Sequence, residues 1–280
     1  MDYRDLINLK RYPVDQYGEV LDDRIAAVQA ELTQDRCAVL SGFLTEEGIA
    51  ALKEEADQSA PHAHCTFNQT NSYFTEDDPN LPKDHPNRRF YDRSNAFVPA
   101  DKFHTTGALR SVFDAPGFDA FIQNCLQEKH FFRYADPLAD AIINLAEAGP
   151  GFPWHFDTNN YNVTLAIQNA EIGGEFEYAP AIRDANGNEN FDEVSRVLDG
   201  TSEKVKRFNL QPGDLQLFRG RYSLHRVAPL TGSRRRYVAI LSYVEWPNMV
   251  ATPERAKQLY GRVLPIHLER AGLRSDTLID

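Results

Sequence analysis

Short segments typical of β-strands follow one another closely in the second half of the chain. They are rich in β-branched and aromatic residues and are separated by Gly, Pro, Asn and Asp: Ala141 to Leu145, Tyr161 to Gln168, Gly174 to Tyr178, Arg207 to Leu210, Leu215 to Phe218 and Tyr237 to Val244. Closely spaced short strands of this kind are typical of a β-sandwich or a barrel. The second half of the chain therefore restricts the fold to a β-rich class.

The first part of the chain has a mixed pattern. Leu21 to Gln34 has apolar residues at helical spacing, with Asp22 or Asp23 as the expected N-cap. Cys37 to Phe43 is a short apolar run that predicts a strand, and Thr45 is expected to cap a second helix. Helices and strands are therefore expected to alternate here.

The remaining segments are more polar. Residues 61–102 show no clear period, so a long ordered loop with short strands is predicted. A polar insertion at residues 183–206 contains a predicted helix from Glu193 to Leu198. Pro253 to Arg262 and Leu264 to Ala271 are predicted to be helices that close the chain.

Composition excludes several classes of function. The chain has 280 residues, a net charge of −11 and a pI near 5.2, which argues against nucleic acid as a partner. The longest apolar run, near Val238 to Val244, is too short to cross a bilayer. Cys37, Cys65 and Cys125 form no Cys-x-x-Cys pair, so free thiols and a cytoplasmic location are expected. The expected partner is a small molecule, and a homodimer is one option for the oligomeric state.

His155 and Asp157 form a His-x-Asp pair. On an extended segment, side chains two residues apart lie on the same face, so both can reach one metal ion. A chain with 8 His and 41 acidic residues can contain such a pair by chance. The pair alone therefore does not establish a metal site.

His225 supplies a third expected ligand. It begins an extended segment that follows the strand Leu215 to Phe218 and a turn at Gly220. In a jelly roll, strands distant in sequence can be neighbours in space. Two imidazoles and one carboxylate hold Fe(II) on one face and leave the other face open for reaction. His155, Asp157 and His225 are therefore predicted to bind Fe(II).

Three consecutive arginines, Arg234 to Arg236, lead directly into the apolar strand that begins at Tyr237. A solvated turn accounts for two of them. An Arg at the mouth of a buried strand needs an anionic partner, and a carboxylate meets the guanidinium in a bidentate pair. A dicarboxylate cosubstrate is therefore the candidate partner.

These features resemble the Fe(II)/2-oxoglutarate-dependent oxygenase family: a His-x-Asp pair, a distal His after a Gly-Asp-x-x-x-Phe segment, and an Arg about ten residues further on. Gly213 to Val227, Arg236 to Tyr243 and Gln258 to Arg262 further resemble the subgroup that contains free-amino-acid radical halogenases and related amino-acid hydroxylases. The resemblance is strong over the last half of the chain and weak over residues 88–95.

The resemblance implies an α+β fold, with a double-stranded β-helix (jelly-roll, cupin-like) core and N-terminal and C-terminal helices packed around it. One oxygenase domain would cover residues 1–280: a mixed helical and loop part (1–139), the jelly-roll core (140–250) and C-terminal helices (251–280). The implied cofactors are Fe(II), 2-oxoglutarate and O2. Arg236 is the first choice to pair with 2-oxoglutarate and Arg235 the second, because strand register decides which of them points inward.

The carboxylate ligand bears on the outcome of the reaction. In the halogenases of this subgroup a small residue replaces it and leaves a coordination position for chloride, whereas this chain has Asp157. The resemblance therefore implies hydroxylation of an unactivated C–H bond in a free amino acid or similar small carboxylate, with 2-oxoglutarate converted to succinate and CO2. Desaturation, cyclisation, halogenation, a peptidyl substrate and an inert cupin-like binding protein remain alternatives.

Arg93 is the main candidate for substrate binding, because Arg93-Ser94-Asn95 resembles the upstream segment whose Arg meets the substrate carboxylate in related amino-acid enzymes. A surface Arg is the alternative. Trp154, Thr158 and Ser242 are further candidates. Thr158 stands where lysine-acting halogenases have an acidic residue, which argues against lysine as the substrate.

Glu175 and Glu177 alternate with Phe176 and Tyr178 in one predicted strand. Successive side chains of a strand point to opposite faces, so one of these pairs faces the interior of the fold. The sequence leaves open which pair it is.

Overall fold

Two antiparallel β-sheets, surrounded by helices, make up the structure in the computed structural model, which describes residues 1–184 and 186–270 apart from the side chain of Asn95. The helices are α1 (Tyr3–Leu6), α2 (Glu19–Asp35), α3 (Glu46–Ser59), α4 (Ala108–Phe113), α5 (Phe118–Leu126), α6 (Phe191–Leu198), α7 (Pro253–Tyr260) and α8 (Pro265–Glu269). Single 3-10 turns occur at Ala60–His62, Pro86–Arg88 and Ala100–Lys102.

The strands occur throughout the chain. They are β1 (Cys37–Leu40), β2 (His64–Thr70), β3 (Tyr91–Val98), β4 (Phe132–Arg133), β5 (Ala141–Ala146), β6 (Phe152–His155), β7 (Asn162–Gln168), β8 (Ile172–Gly173), β9 (Phe176–Ala179), β10 (Lys206–Phe208), β11 (Leu215–Phe218), β12 (Leu224–Val227), β13 (Leu230–Thr231), β14 (Arg236–Leu241) and β15 (Tyr243–Val244). The predicted strands of the second half are therefore present, most with ends shifted by one or two residues.

The larger sheet has seven strands in the order β1-β11-β7-β14-β5-β3-β2, and the smaller has four in the order β10-β9-β12-β6. Two further pairs, β13 with β8 and β15 with β4, are short. The N-terminal part of the chain adds β1 at one edge of the larger sheet and β3 and β2 at the other. Strands from the first half of the chain thus extend the sheet that the second half forms.

The larger sheet separates an apolar layer from a cavity. Along β14, Tyr237, Ala239 and Leu241 belong to a buried cluster that also contains side chains of α2 to α5. Arg236, Val238 and Ile240 alternate with them and line the cavity on the opposite face. Because strand side chains alternate in direction, packing one set against the helices places the other set toward the cavity.

The start of the second long helix, α3, agrees with prediction, whereas the start of α2 does not. Thr45 caps α3, and its Oγ1 accepts a hydrogen bond from the Gly48 N–H at 2.9 Å. The N-cap of α2 is Gly18 instead of Asp22 or Asp23, so that prediction was wrong. Asp22 lies in the first turn, where a carboxylate favours the positive end of the helix dipole without capping it.

Residues 61–102 contain two long strands where a loop with short strands was predicted. β2 and β3 pair along seven residues, from His64 opposite Phe97 to Thr70 opposite Tyr91. β2 is an edge strand, five of its seven residues are polar, and of these seven only Thr70 is buried. An edge strand of this kind has no apolar face that a sequence pattern can reveal.

The C-terminal helices occur close to their predicted places. α7 ends at Tyr260, two residues earlier than expected, and α8 covers Pro265–Glu269. Residue 271, the expected end of the last helix, lies outside the described residues. No helix in the described part of the chain combines the length and apolar character needed to span a membrane.

We expect Thr45→Ala to lower the free energy of unfolding by about 1 kcal/mol, because it removes the side-chain acceptor at the start of α3. Chemical denaturation monitored by circular dichroism measures the change. Thr45→Ser keeps the hydroxyl and serves as the matched control. Equal stability of the Ala and Ser variants would show that the cap contributes nothing.

Candidate metal centre and active site

His155 and His225 lie directly opposite each other on neighbouring strands. β12 pairs antiparallel with β6, and His225 is the register partner of His155, with ring centroids 4.1 Å apart. Asp157 follows β6, and its N–H donates to the Gly220 carbonyl at 3.2 Å. Ligand atoms of the three side chains lie within 4.8 Å of one another. The structure therefore brings the three predicted ligands together.

Backbone carbonyls orient both imidazoles. Nδ1 of His155 lies 2.8 Å from the Pro153 carbonyl oxygen, and Nδ1 of His225 lies 2.9 Å from that of Ser223. A carbonyl oxygen only accepts, so each Nδ1 carries the proton and each Nε2 has a free lone pair. These Nε2 atoms lie 3.7 Å and 3.3 Å from the Asp157 carboxylate oxygens. This is the tautomer that a metal-binding histidine adopts.

The protonation states also suit a metal ion. Burial, together with the neighbouring His225, lowers the pKa of His155 to about 3, so this imidazole is neutral at neutral pH. Burial acts to raise the pKa of Asp157, but the two imidazoles outweigh it and hold that pKa well below its usual value. Metal ligands must be neutral imidazole and ionised carboxylate. The donor set therefore fits Fe(II) bound on one face.

Two residues hold the carboxylate of Asp157 in place. Asn162 donates from Nδ2 to Asp157 Oδ2 at 2.8 Å. A Cβ atom on Gly220 would overlap the Asp157 carboxylate, so only glycine leaves room for it. Sequence reasoning assigned Gly220 to a turn and missed this contact, because the two residues are distant in the chain.

The cavity beside the three ligands lies between the two sheets and has a volume of about 210 Å³. Strands of both sheets contribute to its wall, and α7 adds Arg255, Leu259 and Tyr260. The predicted site residues that line it are His155, Asp157, His225, Arg236, Arg93, Thr158 and Ser242. All predicted site residues except Arg235 and Trp154 therefore meet at one cavity.

Arg236 points into the cavity and Arg235 away from it. Arg236 is buried, and its guanidinium has no hydrogen-bond or ion-pair partner among the described residues. Burial lowers its pKa to about 10, which keeps it charged at neutral pH. Arg235 is exposed and pairs with Glu147 at 2.8 Å. A buried, unpaired cation at the cavity wall suits an anionic ligand.

Arg93 is a second buried arginine at the cavity. Only 1% of it is exposed, and none of its three guanidinium nitrogens has a hydrogen-bond partner among the described residues. Its Cζ lies 4.0 Å from the centroid of the Phe152 ring, which in turn lies 4.0 Å from the ring of His155. Burial and the nearby Arg255 hold its pKa well below the usual value. The alternative of a surface Arg is therefore wrong.

Trp154 lies outside the cavity, which corrects its assignment as a substrate-binding residue. It belongs to a separate buried cluster with Phe156, and Arg226 stacks over its ring at 4.8 Å. Trp154 and Phe156 alternate with His155, so they face the other side of the sheet. A register shift between β12 and β6 explains why Phe152, three residues before His155, still faces the cavity.

The aromatic pair of β9 faces the interior. Phe176 lines the cavity, and Tyr178 packs with it and with Phe218 in a buried cluster. Glu177 instead accepts hydrogen bonds from Arg207 and Arg226. The packing of the smaller sheet thus decides that the aromatic pair, and not the Glu pair, faces the interior.

Comparison with known proteins places these features among oxygenases. A protein-family model described as Halogenase D matches residues 20–258. The chain has no significant sequence match among curated proteins.

Several solved structures share the fold. An oxidoreductase of the 2OG-Fe(II) oxygenase family from Burkholderia pseudomallei aligns with a TM-score of 0.52 and 12% identity, over 82% of this chain and 93% of that one. AviO1 from Streptomyces viridochromogenes Tue57 aligns with a TM-score of 0.53 and 16% identity, over 81% of this chain and 97% of AviO1. The epimerase SnoN, in complex with Fe3+, alpha ketoglutarate and nogalamycin RO, aligns with a TM-score of 0.53 and 11% identity, over 80% of this chain and 84% of SnoN. At these identities the similarity establishes the fold alone.

We expect Gly220→Ala to weaken Fe(II) binding by about 10- to 100-fold, because the added methyl group displaces the Asp157 carboxylate. Anaerobic calorimetric titration with Fe(II) measures the affinity. Gly18→Ala is the matched control, since a Cβ there meets no atom within 4 Å and its extended backbone accepts any residue. Unchanged Fe(II) affinity in Gly220→Ala would contradict the assigned role of Gly220.

Proposed function

The chain belongs to the halogenase D family of Fe(II)/2-oxoglutarate-dependent oxygenases, and from this premise we propose that it hydroxylates an unactivated C–H bond of a free amino acid or similar small carboxylate. The enzyme uses Fe(II), 2-oxoglutarate and O2. One observation carries the proposal: a single cavity contains the His-Asp-His set and two buried arginines, Arg93 and Arg236, which have no hydrogen-bond or ion-pair partner for their guanidinium groups among the described residues. This arrangement supports two anions in the cavity, one at Arg236 and one at Arg93.

Each of these residues has a proposed role. His155, Asp157 and His225 hold Fe(II) through Nε2, carboxylate oxygen and Nε2. Arg236 pairs with the distal carboxylate of 2-oxoglutarate, and Arg93 pairs with the substrate carboxylate. When bound, iron and 2-oxoglutarate supply the oxidising chemistry that places one oxygen atom of O2 in the product and the other in succinate. Thr158 and Ser242, also at the cavity wall, are proposed to contact the substrate.

The cavity wall contributes by excluding water. Phe152, Phe176 and Phe218 surround the ligand histidines, and Tyr260 of α7 closes the substrate side. Such a wall keeps bulk water from the oxidising centre and fixes the substrate carbon near it. The contribution of α7 favours a small molecule over a peptidyl substrate, which would need an open groove.

We also propose that the core is a double-stranded β-helix within a single domain. Eight strands divide equally between the two sheets, β5, β14, β7 and β11 in one, and β6, β12, β9 and β10 in the other. Eight strands in two sheets is the strand count of a jelly roll. A cytoplasmic location is part of the proposal, supported by three free cysteines, two of them buried.

Hydroxylation, rather than halogenation, is proposed because Asp157 is present as a ligand. In the halogenases that the chain resembles, a small residue at this position leaves a place for chloride, and in this chain the Asp157 carboxylate would take that place. Asp157 is fixed for this role by Asn162 and by the space beside Gly220. The structural arrangement therefore supports oxygen transfer, although the family model is named for a halogenase.

The product mass tests this outcome. We expect a screen of small acids, with Fe(II), 2-oxoglutarate, O2 and saturating chloride, to give a product heavier than its substrate by one oxygen atom, with a matching amount of succinate. His155→Ala abolishes this coupled turnover, whereas Asp22→Ala, on the exposed face of α2, retains it. A chlorinated or desaturated product would overturn the proposed outcome, and coupled turnover by His155→Ala would overturn the ligand assignment.

The two neighbouring arginines provide a matched pair of variants. We expect Arg236→Gln to raise the KM for 2-oxoglutarate by at least about tenfold, because it removes a charge-assisted bidentate contact. Arg235→Gln removes the same charge one residue away and leaves the KM unchanged, since this side chain is exposed. Initial rates of succinate formation at varied 2-oxoglutarate concentration give the KM of each variant. Equal effects of the two substitutions would exclude a specific role for Arg236.

A further inference from the structure

Two buried polar side chains outside the candidate metal centre contact each other. Asp136 lies between β4 and β5, and His267 lies in α8. Asp136 is 1% exposed and His267 is fully buried, and His267 Nε2 lies 3.1 Å from Asp136 Oδ2. Neither belongs to the described residues that line the cavity. Burial of polar groups is unfavourable unless their hydrogen bonds are made, so their partners show what the pair connects.

The start of α8 fixes the orientation of the His267 ring. The N–H of Leu264, the N-cap residue of this helix, donates to His267 Nδ1 at 3.0 Å. Nδ1 therefore carries no proton, and Nε2 carries the proton that it donates to Asp136. His267 thus joins the first turn of α8 to the segment that precedes β5.

The carboxylate of Asp136 accepts two further hydrogen bonds from the backbone. Oδ1 accepts from the Leu138 N–H at 2.8 Å, and Oδ2 accepts from the Ala251 N–H at 2.9 Å. Ala251 directly precedes Thr252, the N-cap of α7. One buried carboxylate therefore connects residues 134–139 to the start of α7 and, through His267, to α8.

The connected segments contribute one side of the cavity wall. Their lining residues are Tyr134, Ala139, Ala251, Arg255, Leu259 and Tyr260. The three predicted iron ligands and Arg236 instead lie on or near β6, β12 and β14. A shift of α7 relative to residues 134–139 would therefore change the substrate side of the cavity and leave the iron side in place.

We propose that Asp136 and His267 are positioning residues for the substrate. Their hydrogen bonds hold α7 against residues 134–139, and this part of the wall keeps the substrate carbon near the iron. Misplacement by about 1 Å lowers a reaction rate by as much as about 10²-fold, so the pair affects turnover although neither residue touches the substrate. The inference rests on the proposed small-carboxylate oxygenase function and assigns residues that hold its substrate wall in place.

Hydrogen–deuterium exchange tests the connection to α7 without a substrate. His267→Ala removes the donor to Asp136, and we expect the backbone amides of α7 to exchange at least about tenfold faster, whereas those of β12 keep their rate. His267→Gln replaces the Nε2–H with an amide N–H and restores most of the protection. Leu268→Gln changes the next residue of α8, which is exposed, and is the matched control.

Turnover and cosubstrate binding locate the effect on the substrate side. The substrate is the acid that gives the fastest succinate formation in the product-mass screen. For His267→Ala we expect its KM to rise about tenfold and succinate to exceed hydroxylated product, because the substrate carbon is held less closely to the iron. Anaerobic titration of the Fe(II)-loaded enzyme with 2-oxoglutarate, followed by visible absorption, gives an unchanged affinity.

Asp136→Asn extends the series. It places an N–H donor where the carboxylate accepts hydrogen bonds from Leu138, Ala251 and His267, so we expect a larger rise in KM than for His267→Ala. Thermal unfolding of each variant establishes that it is folded, and the His267 variants test the inference if Asp136→Asn does not fold.

A purely structural pair gives a different result. The inference is overturned, and the proposed function remains, if His267→Ala matches Leu268→Gln either in the exchange of α7 or in KM and the ratio of succinate to product. The same follows if the affinity for 2-oxoglutarate falls by the factor by which KM for the acid rises, because the pair would then support the whole site. If no small acid stimulates succinate formation, the proposed function is overturned together with this inference.

Discussion

The antiparallel pairing of β12 with β6 is the interaction on which the candidate site depends. It places His225 opposite His155, and two backbone carbonyls then turn both Nε2 atoms toward Asp157. The two histidines are 70 positions apart in the chain, so the site exists only when the two sheets have folded. Because main-chain hydrogen bonds fix this register, the ligand geometry is set by the backbone, and a slip of β12 by one residue would turn His225 away from His155 and the cavity.

One face of the larger sheet forms the apolar core, and the other face lines the candidate active site. One face packs against α2 to α5 in a large buried cluster, and the other faces the cavity. That second face contains Arg93 and Arg236, two buried cations without hydrogen-bond or ion-pair partners among the described residues. Burying a charge without a counterion is unfavourable, and the apolar layer on the opposite face offsets this cost. Ligand anions would relieve it, which is why the proposed cosubstrate and substrate should stabilise the fold when they bind.

The environment of Asp157 connects fold to reaction outcome. The hydrogen bond from Asn162 and the absence of a side chain at Gly220 allow a carboxylate to occupy the third ligand position. In a chain that belongs to a family named for halogenation, this local arrangement is the basis of the proposed hydroxylation. The proposed cosubstrate and substrate contacts lie at other residues of the same cavity, Arg236 and Arg93.

The sequence by itself determined the three candidate metal ligands, the β-rich core, the N-cap of α3 and the presence of a carboxylate at position 157. Each of these depends on residue type or on local pattern. Tertiary structure alone decided that Arg236 and not Arg235 points inward, because the strand that follows is apolar on both faces and shows no alternation. It alone revealed that Arg93 is buried, since the polar sequence of β2 and β3 resembles a loop, and that Phe152 faces the cavity, since a register shift changes which residues share a face. Trp154 is next to His155 in the strand, so its position on the opposite face follows from alternation. Register and long-range pairing are properties of the folded sheet, and no local pattern in this sequence encodes them.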